Sequence, residues 1–163
     1  MKYFTPLQDS EIKDKKKLKQ WRIWAKKLGW TGTIAWRVAA GFNLKTEAPK
    51  LGNCYDDFKY LQNWDFPDEP TKDCIVFWIP RILPESLNKN VEEQRDLLKK
   101  YGQNSFGSVS LLAGLILTHF NETGEEMPMR EKFIRSDTCH SDGNRLELDW
   151  RHGRLACGRW DWG

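Results

Sequence analysis

Arg145-Leu146-Glu147-Leu148-Asp149-Trp150 alternates charged and apolar side chains without a break, and Arg154-Leu155-Ala156-Cys157 resumes beyond Arg151-His152-Gly153. A side-chain period of two belongs to a half-buried strand. Gly153 can take the left-handed conformation that a tight hairpin turn requires. The stretch therefore predicts a hairpin of strands 145–150 and 154–162. Leu155 and Cys157 share one face of the return strand, whereas Trp160 and Trp162 fall on the other. A bulge at Gly158 is the expected cause of that switch.

Upstream of the hairpin, residues 108–121 are apolar nearly all round, which suits a helix in the interior. Asn90 with Glu93 reads as a capping box opening a helix through Tyr101 that Gly102 ends. The run Cys74-Ile75-Val76-Phe77-Trp78-Ile79, closed by Pro80, predicts a central strand covered on both faces. Residues 33–42 alternate as a strand, against the helical preference of three alanines, and 133–135 is read as a further short strand. Asp56 or Asp57 is expected to cap a short helix through Trp64, after a loop at 48–53. Asp9 or Ser10 is expected to cap a helix ending at Leu28, with Leu18, Trp21, Ala25 and Leu28 on its apolar face. The fold class is α+β: a single domain over 1–163, with a basic N-terminal helix inside 1–30 and a buried helix followed by a C-terminal β-hairpin in 106–163. Its mixed, mostly antiparallel sheet is expected to hold 33–42, 74–79, 145–150 and 154–162, with helices packed on one face.

The 163 residues suffice for one real core, and nine tryptophans supply much of its apolar area. The first twenty residues lack the apolar stretch of a secretion signal. The longest apolar run, 109–120, is broken by Ser110, Gly114, Thr118 and His119 and falls short of the ~20 residues of a membrane span. No membrane association and a cytoplasmic location are expected, so Cys54, Cys74, Cys139 and Cys157 are read as reduced thiols. Net charge is +3 but unevenly spread. Residues 9–28 hold eight basic side chains against Asp9, Glu11 and Asp14, while 54–73 is acidic.

The basic segment, with Lys13, Lys15, Lys16, Lys17, Lys19, Arg22, Lys26 and Lys27 among indoles, could contact phosphates and stack bases. A helix docked on a core with its lysines in water gives the same pattern. Cys139 is a candidate nucleophile with His119 or His140 as its base. Adjacent residues on an extended chain point apart, and a turn-rich loop explains 138–144 more simply. Cys139, His140, His152 and Cys157 are ligand types for zinc. However, His152 and Cys157 are five residues apart along a strand, roughly 16 Å, and no CxxC pair is present. Asp56, Asp57, Asp65, Asp68 and Glu69 lack the order of a calcium loop. No glycine-rich phosphate loop occurs. No metal and no cofactor is therefore expected. Trp160 and Trp162 can form a two-ring binding platform or a core layer.

Leu117-Thr118-His119-Phe120, Cys139, and Arg154-Leu155-Ala156-Cys157 leading to Trp160 resemble a bacterial domain family of unknown function over 106–163. The resemblance implies only the order of helix and then hairpin. The expected function is a non-catalytic binding or interaction protein with a protein partner. Nucleic-acid binding through the basic helix is the alternative, and a Cys/His enzyme is the third reading.

Overall fold

The structure, a computed structural model, describes residues 2–127 and 132–160. Trp162 lies outside them. The elements run β1 (Phe4–Pro6), α1 (Lys15–Lys27), β2 (Ala35–Val38), α2 (Ala48–Leu51), β3 (Cys74–Phe77), α3 (Val91–Lys100), α4 (Val109–Thr123), β4 (Ile134–Cys139), β5 (Arg145–Arg151) and β6 (Arg154–Trp160). Short 3₁₀ turns occupy Asp9–Glu11, Tyr55–Asn63 and Pro84–Ser86. The protein is α+β. The strands expected in one sheet are divided between two antiparallel three-stranded sheets, ordered β1-β2-β3 and β4-β5-β6. Among the described residues, the only bridge touching both an outside segment and the second sheet joins Cys54 to Leu155.

The helix read over 108–121 is α4, and it stands between the sheets. The Ser108 side chain accepts from the Leu111 N–H at its start, and Gly124 in the left-handed conformation closes it. Residues Val109 to His119 are buried except Leu111. One side of α4 meets Phe4, Trp36 and Val38 of the first sheet, and the other meets Leu146, Leu148 and Trp150 of the second. A Cβ on Gly114 would fall 2.0 Å from the Phe4 ring. The missing side chain is what lets β1 approach the helix.

Helix α1 covers the opposite face of the first sheet. Ala25 packs with Ile34 and Ile79, and Leu18 with Ala35 and Phe77. Helices thus lie on both faces of that sheet. The expected N-terminal start is also corrected. Ile12 is extended and 3% exposed, packed with Leu7 and Ala35, so burying it interrupts the helix. Asp14 then serves as the cap, accepting from the Lys17 N–H at 3.0 Å, and Lys13 precedes the helix.

Other local expectations fare unevenly. The capping box at Asn90 and Glu93 makes both of its hydrogen bonds. The expected loop at 48–53 contains α2, while β1 was not foreseen because its three residues gain meaning only beside β2. The strand read over 33–42 is pared to β2, and 133–135 lengthens into β4. The 74–79 run is an edge strand rather than a central one: β3 pairs only with β2, and Ile75 is 46% exposed. Asp56 and Asp57 cap nothing, because with Phe58 they form three successive left-handed residues, φ 50°, 48° and 57°.

The hairpin forms with His152 and Gly153 both left-handed, as a two-residue turn between right-twisted strands demands. Pairing of β5 with β6 is unbroken from Arg151↔Arg154 to Arg145↔Trp160, so no bulge lies at Gly158. The irregularity falls instead in β4, between Arg135 and Cys139. Without a bulge, Trp160 follows the pleat onto the outer face, where it is 52% exposed and 6.2 Å from the Phe133 ring.

Candidate functional site

A groove of about 490 Å³ opens between α1, β3, α3 and the β4 edge of the second sheet. Helical spacing places its first wall: Trp21, Trp24 and Leu28 repeat at three and four residues, so all three leave α1 on one side. Phe77, at the end of β3, lies against Trp21 with ring centroids 5.5 Å apart, and Trp78 and Ile79 extend that wall. Opposite stands α3, whose Leu97, Leu98 and Tyr101 face inward. Trp24 meets Tyr101 edge to face at 4.9 Å. Phe106, Leu112 and Ile134 complete the apolar lining.

Polar contacts hold the segment between β3 and α3 over this space. Tyr101 donates its hydroxyl hydrogen to Glu85 at 2.8 Å, and Lys100 pairs with the same carboxylate at 3.3 Å. Gln94 donates to the Ser86 carbonyl at 2.8 Å and accepts from Arg135 at 2.7 Å, so α3 is tied to both the turn and the second sheet. Arg81 pairs with Glu125 at 2.7 Å and lies over the Trp30 ring.

Among the described residues, Glu147 contributes the one acidic side chain of the wall. It is 7% exposed. Burial pushes its carboxyl up to about 7, Arg135 opposing and Asp149 adding to the shift. No hydrogen bond or ion pair reaches that carboxylate from another described residue. The neighbouring carboxylate behaves otherwise: Asp149, two residues along β5, is paired with Arg151 at 3.3 Å. Such an arrangement binds a molecule with an apolar body and a hydrogen-bond donor.

The residues singled out from sequence are scattered. Thr138, next to Cys139, accepts from the Val109 N–H at the start of α4 (3.1 Å). His119 stands ten residues further along that helix, roughly 15 Å at 1.5 Å per residue. It is 4% exposed, joined to Glu125 at 2.9 Å, and flanked by the Trp30 and Trp78 rings. His140 turns toward Trp64, Asp142 and Arg159. The structure therefore does not assemble Cys139 with either histidine. Burial raises the Cys54, Cys74 and Cys157 thiols. Among the described residues no three of His, Cys, Asp and Glu are placed to hold a metal ion. His152 instead stacks on Tyr55.

The cationic residues of α1 separate from its indoles. Lys15, Lys19, Arg22 and Lys26 line the side of the helix around Ile23, away from Trp21 and Trp24. Arg22 is bound to Asp9 at 2.7 Å, and Lys17 lies over Phe77. Lys13, Lys16 and Lys27 are exposed. Lys15, Lys19 and Lys26 and the indoles of α1 thus face different sides of the helix.

Sequence reading missed Glu147 as a site residue because its place in the alternation marks it as solvent-facing. The spacing of Trp21, Trp24 and Leu28 was the available signal for the aromatic wall, though it also fits a core contact. Comparison with protein-family models, with curated proteins and with solved structures gives no match.

Proposed function

We propose that this protein is a non-catalytic binding protein whose groove receives an apolar ligand of small-molecule size. One observation carries the reading: a space of about 490 Å³ walled by Trp21, Trp24, Phe77, Trp78 and Phe106. Ligand pockets typically measure roughly 300–1,000 Å³ and combine apolar walls with a few polar groups. Titrating the full chain with phenethyl alcohol tests it through tryptophan fluorescence. Saturable quenching, weakened in Trp24→Ala and in Leu98→Gln, is expected. A response identical in both variants and the wild type would place the probe elsewhere.

The alternative is nucleic-acid binding. What favours it is that Lys15, Lys16, Lys17, Lys19, Lys26 and Lys27 of α1 are all exposed. It predicts affinity that falls steeply with added salt and vanishes when Lys15, Lys16 and Lys17 become Glu. A protein partner is the third possibility, tested by nuclease-resistant capture of one specific chain. No helix among the described residues is long and apolar enough to cross a membrane.

A further inference from the structure

We infer that the ligand of the groove is an organic amine with an aromatic body, its ammonium received by the Glu147 carboxylate and its body by Trp21, Trp24 and Trp78. The inference rests on the groove being the binding site and names the class of ligand it takes.

Glu147 is largely buried at the groove wall, and no described residue hydrogen-bonds or ion-pairs with its carboxylate. A buried carboxylate left without donors is costly. Its cross-strand neighbour Arg135 meets that need only in part: its charge favours the ionised carboxylate, but its guanidinium donates to Gln94 at 2.7 Å and to the Lys89 carbonyl at 3.5 Å. An ammonium entering the groove would supply charge-assisted hydrogen bonds, and indole faces attract the same cation.

Among the described residues four cations also line the groove: Arg81, Lys89, Lys132 and Arg135. Arg81 is paired with Glu125, and Lys89 lies 3.8 Å from Glu93. Lys89 is exposed, so water and salt screen it. Glu147, by contrast, acts from inside the wall, where screening is weak. These four make an anionic ligand the competing outcome, and the experiment includes it.

The test compares phenethylamine, phenethyl alcohol and phenylacetate on the full wild-type chain, by calorimetry at about pH 8, where the Glu147 carboxyl is mostly ionised. The amine is expected to bind about ten-fold or more tightly than the alcohol, the effect of one charged hydrogen-bonded contact. In Glu147→Gln the advantage of the amine over the alcohol should disappear. Equal affinity for amine and alcohol, or tightest binding of phenylacetate, would overturn the amine inference and leave the groove reading standing. Failure of all three to bind would overturn both. Because the ligand series is read on the wild type, the outcome does not depend on the variant folding.

Discussion

Glu147 lies directly opposite Arg135 in the register of β4 and β5, yet the guanidinium donates to Gln94 on α3 instead. The carboxyl is left buried at the groove wall, and its titration is coupled to folding. A raised carboxyl means that the folded chain holds a proton the unfolded chain has released, between about pH 4.5 and pH 7. Its favourable contribution is present below that window and is lost as pH rises through it.

Wild-type stability should therefore fall on going from about pH 5 to about pH 8, by roughly 3 kcal/mol at most from this group. Arg135 and Asp149 are the charged groups that set the window. Glu147→Gln should flatten the profile and be the more stable protein at the alkaline end. Urea unfolding midpoints at the two pH values measure both effects.

Gly114 touches Phe4 so closely that any side chain must displace the ring or the strand. Gly114→Ala should destabilise by about 2 kcal/mol or more, overriding the roughly 1 kcal/mol that alanine adds to a helix. Adding Phe4→Leu should recover part of the loss. A double-mutant cycle by chemical denaturation gives the coupling, and strict additivity would contradict the contact.

Asp56, Asp57 and Phe58 are held in left-handed backbone, which disfavours side chains. Asp57→Gly should raise stability by about 1 kcal/mol, despite glycine's greater freedom when unfolded. The readout is a higher thermal midpoint. A fall would mean that the aspartate side chain holds the turn.

Trp36 and Trp150 are both buried, but only the second satisfies its indole. Trp150 donates to the Met127 carbonyl at 3.0 Å, whereas the Trp36 N–H has no hydrogen-bond partner among the described residues. Trp36→Phe should cost about 1–2 kcal/mol less than Trp150→Phe, since removing an unpaired donor removes its desolvation cost. Equilibrium unfolding of the two variants checks the difference.

Local pattern determined much of this protein. The cap at Asn90, the continuous apolarity of α4, and the alternation ending in His152-Gly153 each specify their element from within a few residues, because capping, helical burial and tight turns are short-range physics. Tertiary structure decided which strands share a sheet, since pairing such as Phe4↔Val38 joins residues far apart in sequence. It also decided where Trp160 points, because an unbroken register left it on the outer pleat. Glu147 is the clearest case. Its alternation assigns it to the outer face of β5, but only the approach of α3 and the segment before it turns that face into a buried wall, and no neighbour in the sequence carries that information.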